Sequence, residues 1–254
     1  MQMKRFWKNS ITLSIAGLGF LAAVWAVAYF AVGNEYLLPS PWQTLKAGVK
    51  MLGKGYFYTA FFATLFRAAL AFFLALLLGG GFAVAAYLLP SVEKFLRGII
   101  AVLRALPTVA VLLLILVGAS PLWAPVIIGS LTLFPLLYTA AYSSLCGVDR
   151  ALLEMCKVYR VPVRKRVKCL YLPHALPKLA REGVAAFSFS LKLTVSAEVL
   201  AFTYKSMGGL LQEMALSAEV ALMTALTLFV CLLGLAIEMG LGWALKRWEE
   251  KRCA

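Results

Sequence analysis

Asp149 to Arg181 reads DRALLEMCKVYRVPVRKRVKCLYLPHALPKLAR and lies between two long apolar runs. It carries Arg150, Lys157, Arg160, Arg164, Lys165, Arg166, Lys168, Lys178 and Arg181 against only Asp149 and Glu154. A segment this basic between apolar spans stays on the cytoplasmic side of a bilayer, because positive loops resist translocation. Leu152, Leu153 and Cys156 recur at helical spacing around Glu154, and Pro162 disfavours carrying that helix through Val161. The spacing therefore predicts two short helices with a bend between them, a shape suited to docking. A basic loop that only sets topology is the other reading of the same residues.

The rest of the chain supplies the membrane. Of its 254 residues 63% are hydrophobic, and a mean hydropathy of +0.88 excludes an ordinary soluble protein. A net charge of +14 would suggest nucleic acid in a soluble chain. Here the cations flank apolar runs, so orientation and contact with anionic membrane lipid account for them and no nucleic-acid partner is implied. Cysteines 146, 156, 169, 231 and 253 form no C-x-x-C pair and no metal spacing, and read as reduced thiols. His174 is the single histidine, so a multi-histidine metal site has no material. No H-E-x-x-H or G-x-S-x-G motif supports a hydrolase. Gly48 to Lys54 approaches a phosphate-binding loop, but Gly55 replaces the required Ser or Thr and no strand precedes it. Any ATP hydrolysis must come from another polypeptide.

Six apolar spans are expected. Residues 11–32 form the first, with Lys4, Arg5 and Lys8 before it; a signal peptide cleaved after Ala26-Val27-Ala28 is the alternative. Residues 33–56 follow outside, where Leu45, Val49 and Leu52 alternate with Lys46, Lys50 and Lys54 as in a helix lying along the surface. The remaining spans are 57–89, broken up by Gly79-Gly80-Gly81, then 98–118, 122–145, 182–202 and 220–245. Residues 204–219 read as a short outer loop, and both termini fall in the cytoplasm.

Arg67, Pro107, Lys192 and Glu198 in these spans point to a translocation path. Arg67, Lys192 and Glu198 are charges at membrane depth, which mark ion or substrate routes by default, although snorkelling to an interface competes for each. Lys192 and Glu198 are six residues apart, about 120° and ~9 Å on a helix, so they form no same-face pair. Pro107 and Pro135 free backbone carbonyls that bundle neighbours or water must satisfy, which turns their helices toward an interior.

The basic stretch also resembles the EAA loop of binding-protein-dependent ABC importer permeases. Glu154 takes the acidic position, and nine residues separate Arg160 from Leu170-Tyr171-Leu172-Pro173, in place of the usual I-x-L-P. Met155 and Cys156 replace the small pair after the acid, and Arg160 stands where the family usually has the turning Gly. Residues 37–41 (LLPSP) and 103–107 (LRALP), Ala197-Glu198-Val199-Leu200 and Met207-Gly208-Gly209-Leu210-Leu211 are similar to the sulfonate, nitrate and taurine branch. The likeness runs from about Leu37 to Trp248.

This resemblance implies an all-α, polytopic type I importer fold of the MetI-like kind in the bacterial inner membrane. It implies a transport subunit that is not an enzyme and binds no cofactor, with ATP and magnesium on two partner ATPase subunits. A second permease copy, an extracytoplasmic binding protein and membrane lipid are the other partners. The ATPase-coupling residues carried over are Ala151, Leu152, Leu153, Glu154, Met155, Cys156, Lys157, Arg160, Val161 and Pro162. The solute stays open among sulfonate, taurine, nitrate, a thiamine precursor or another small molecule. The competing function is a proton- or ion-coupled secondary transporter built on Lys192 and Glu198, which leaves the motif spacing in the basic loop to coincidence.

Overall fold

A computed structural model describes residue 17 and residues 19–35 and 37–253, apart from the side chains at 252 and 253. The expectations placed on residues 1–16, including the basic amino terminus and the start of the first span, lie outside the described residues. Among those described, the regular structure is helical and contains no strand.

Helix α1 is Gly19–Val32. Helix α2, Pro41–Leu52, opens on a capping box in which the Ser40 side chain accepts from the Gln43 amide and Gln43 accepts from the Ser40 amide. Pro41 at its first turn adds a pre-set φ, so the LLPSP string is a helix start. Thr44 and Met51 are its buried side, while Leu45, Val49 and Leu52 stay exposed.

Helix α3, Gly55–Leu88, runs unbroken for 34 residues through the three glycines, about 51 Å at the helical rise and well over a hydrocarbon layer. Of the three glycines only Gly79 serves packing here. A Cβ on Gly79 would lie 2.9 Å from the Tyr138 amide nitrogen and 3.3 Å from Leu137 Cβ, whereas Gly80 and Gly81 face open space.

The span expected over 98–118 is not continuous. Helix α4, Pro90–Ala105, and helix α5, Thr108–Gly118, meet at 96° across Leu106 and Pro107. Proline disfavours the helical conformation of the residue before it and offers no N–H to the turn behind, and here the axis breaks at that point. Residues 90–97, which fall between the spans expected over 57–89 and 98–118, accordingly belong to α4.

Helix α6, Ala124–Cys146, is the buried centre of its unit and packs on α4 and α5. After α7, Arg150–Val158, comes a second helical run: α8, Val163–Arg166, a π-turn at Val167–Tyr171, and α9, Leu172–Leu200. The span expected to begin at 182 thus extends far upstream as helix. Its widened turn falls just before Pro173, which cannot donate to a carbonyl one turn back.

Residues 207–216, expected within a loop, form helix α10, and α11 spans Val220–Cys253. Ser206 starts α10 by accepting the Gly209 amide at 2.8 Å. Gly209 has no room for a side chain, since a Cβ there would stand 2.2 Å from the Thr203 carbonyl oxygen.

The contacts divide the chain into two compact units, one of residues up to Tyr58 with Leu210–Phe229, the other of Thr59–Gly209 with residues from Val230 on. In the first, Met51 and Phe57 are buried and Phe57 meets Phe229 edge to face at 5.0 Å. The second is organised on α6. Tyr138 and Ala141 pack with Ala83, Ala86, Leu96 and Ile100; Leu133 and Leu137 pack with Phe72, Ala75 and Ala186; Ala124 and Ile128 pack with Leu112 and Ala197. Small residues at these crossings let backbones approach, which is how helices associate where lipid removes the hydrophobic drive.

Among the described residues four helical runs are long and apolar enough to cross a membrane, Gly55–Leu88, Ala124–Cys146, Val163–Leu200 and Val220–Lys251. The bent α4 and α5 pair makes a fifth, and α1 is a shorter apolar helix.

Candidate functional site

The basic stretch builds an elbow. Asp149 caps α7 by accepting the Ala151 amide at 2.9 Å, a carboxylate at the end where it favours the helix dipole. At the other end the Val161 amide reaches back to the Cys156 carbonyl at 2.9 Å, and Arg160 adopts φ +50°. This is a Schellman-type stop with a left-handed residue just past the helix. A side chain pays about 1–2 kcal/mol in that conformation, which explains why a Gly suits the position Arg160 holds.

Of the coupling residues read from the sequence, only Cys156 is buried, while Leu153 and Val161 are half-buried. Ala151, Leu152, Glu154, Met155, Lys157, Arg160 and Pro162 are exposed. Leu152, Met155 and Tyr159 fall at helical spacing on one open face, with Tyr159 76% exposed. An apolar stripe beside Glu154 and Lys157 that finds no cover in its own chain has the make-up of an interface.

The embedded charges divide. Arg67 of α3 donates to Glu198 of α9 at 2.9 Å, and Thr64, one turn before it, donates to the other carboxylate oxygen at 2.8 Å. The Gly208 amide, at the start of α10, donates to that same oxygen at 3.2 Å, and the Met207 amide donates to Thr64 Oγ1 at 2.9 Å. Glu198 is fully buried and the Arg67 side chain only 12% exposed. A Cβ on Gly208 would come within 2.4 Å of Glu198 Cβ, so glycine alone lets the backbone close on the carboxylate. Glu198 is thus enclosed in this conformation, its carboxylate met by one guanidinium and further donors.

Lys192 and Pro107 take no part in that cluster. Lys192 is exposed on the opposite side of α9, its stem laid over Gly234 of α11, where a Cβ would stand 3.2 Å from Lys192 Cε. Pro107 caps α5 at the break, with its carbonyl accepting from Val111 at 3.2 Å. The sequence reading missed Arg104, which donates to Thr139 Oγ1 at 2.5 Å and to the Pro135 carbonyl at 3.4 Å. The LRALP string contained the signal, a cation in a span, but was read for its proline.

Together these describe a polytopic helical protein with an exposed basic elbow and buried charge pairing between spans, the make-up of a transport permease. The family described as binding-protein-dependent transport system inner membrane component matches residues 75–249, and the chain belongs to it. The taurine transport system permease protein TauC of Escherichia coli (strain K12) is 28% identical over 256 residues, which cover 94% of this chain and 90% of that protein. Among solved structures, an inward-facing MetNI methionine ABC transporter superposes with a TM-score of 0.64 at 16% identity, over 74% of this chain and 94% of that one. An amino acid ABC transporter with histidines gives 0.63 at 15% identity, over 77% and 94%. At such identities these structures speak to the fold, which is that of the MetI-like permeases.

The chain is therefore a multi-pass inner-membrane permease of an ABC importer. It is not an enzyme; in these importers ATP hydrolysis belongs to a separate subunit.

Proposed function

We propose that this permease takes a small sulfonate-like solute, of the taurine kind, from an extracytoplasmic binding protein and passes it to the cytoplasm by alternating access. The observation that carries the reading is the elbow: a capped helix with an uncovered apolar stripe, bounded by Glu154 and Lys157 and stopped by the left-handed turn at Arg160. Both termini and the elbow lie in the cytoplasm, following the excess of Lys and Arg on that side. Two ATPase subunits, holding ATP and magnesium, each seat one elbow of a permease homodimer. Their closure on ATP moves the elbow as a rigid piece and rocks the spans between outward and inward access.

A proton relay on Glu198 is the weaker reading, because that carboxylate already accepts from Arg67, Thr64 and Gly208 and has no exposed surface. Affinity capture of the full chain from its host membrane should bring down an ATPase with a phosphate-binding loop, and the captured complex in vesicles should transport only with ATP. Uptake by this chain alone, driven by a proton gradient without ATP, would overturn the reading.

A further inference from the structure

Helix α9 has two faces of different kinds. Ala186, Ser190, Thr194, Ala197 and Glu198 are buried within its own unit. Ala185, Phe189, Lys192, Ser196 and Leu200 follow one another at helical spacing on the uncovered side. Lys192 is the one charge on that stripe, and among the described residues no carboxylate lies within ion-pair distance of it. Its depth is set by the helix. Lys192 stands eight residues before the helix end at Leu200, ~12 Å along the axis, and so close to the middle of a ~30 Å hydrocarbon layer. A lysine side chain of about 6 Å reaches neither interface from there.

The stem that carries the ammonium is also packed. Gly234 of α11 leaves room for the Lys192 stem, with Ser188 holding the Gly234 carbonyl at 3.0 Å. One turn further out on the same stripe, the Ser196 hydroxyl bonds the Lys192 carbonyl at 3.0 Å. An uncompensated cation held at mid-depth on an open face requires water and a counter-charge from outside the protomer.

We propose that Lys192 is the specificity-determining residue of the path, the cation that receives the anionic group of the solute as it crosses. This rests on the importer reading above and adds the residue that reads the charge. The anion is held by a charge-assisted contact to Nζ while it passes Gly234, and an uncharged molecule of the same shape gains nothing there.

The test uses the full permease with its ATPase subunits in nanodiscs of neutral lipid. Its thermal unfolding is titrated with methanesulfonate and with dimethyl sulfone, an uncharged molecule of similar size. Methanesulfonate should raise the unfolding temperature saturably and dimethyl sulfone should not. Lys192→Gln should weaken the methanesulfonate response about tenfold or more, the loss of one hydrogen bond to a charged group, and Lys192→Arg should keep most of it. Equal responses to the two probes, or an unchanged response in Lys192→Gln, would overturn the proposal. So would a wild-type complex indifferent to methanesulfonate, which is the result if a carboxylate of a second copy neutralises Lys192. Failure of the importer reading shows separately, as a wild-type chain that captures no ATPase.

Discussion

Glu198 shows how one carboxylate is satisfied among apolar helices. Its oxygens accept from Arg67, Thr64 and the Gly208 amide, so two separate stretches of chain, α3 and the start of α10, converge on one side chain of α9. Removing its charge leaves Arg67 buried with no counter-ion, which is worse than having no pair at all. Glu198→Gln is expected to destabilise the protein by about 3–5 kcal/mol, read as a lower midpoint in thermal or denaturant unfolding. Replacing the whole pair, Arg67→Met with Glu198→Leu, should recover much of that loss, since apolar packing replaces both charges. A Gln variant as stable as the wild type would show that the pair holds nothing. The two charges were visible in the sequence as membrane-embedded residues, but their partnership was not, because 131 positions separate them.

At the scale of elements, helix crossings decide which glycines matter. GGG at 79–81 is uniform in sequence, and each member has the same weak helix propensity. The structure separates them: Gly79 abuts the backbone of α6 at Tyr138, while Gly80 and Gly81 meet nothing within 4 Å. Gly79→Ala should cost about 1–3 kcal/mol, as overpacking against a backbone that cannot step aside. Gly80→Ala and Gly81→Ala should instead stabilise α3 by roughly 0.5–1 kcal/mol through helix propensity. Unfolding midpoints of the three single variants decide it, and the same response in all three would remove the close crossing from the account. Breaks in the helices were legible to a similar degree. Pro107 announced an irregularity, but a 96° turn that makes two helices of one expected span depends on what each half packs against.

For the whole molecule, the proposed function makes the elbow the part that must act at a distance. Charge reversal there leaves the fold alone, since Glu154 is exposed, and strikes the ATPase contact that the proposed function assigns to it. Glu154→Arg should lower ATP-driven transport and the ATPase activity coupled to it by about tenfold or more, with binding-protein docking unchanged. Turnover equal to wild type in the reconstituted complex would take Glu154 out of the mechanism.

What the linear order of residues decided by itself was the class of molecule and the place of its basic elbow. Apolar runs long enough to cross a bilayer, cations gathered beside them, and an acid, a bend and a proline at set distances in 149–181 are local properties, and local properties can be read along a chain. The left-handed turn at Arg160 belongs with them, because it is closed by an amide and a carbonyl five residues apart. Tertiary structure alone decided that Arg67 is the partner of Glu198, and that Gly79 abuts a backbone where its two neighbours meet open space. It also turned an expected loop at 207–216 into a helix started by Ser206. Each of these depends on which distant segment fills the space around a residue, and in a bundle that is set by the crossing of helices rather than by spacing in the sequence.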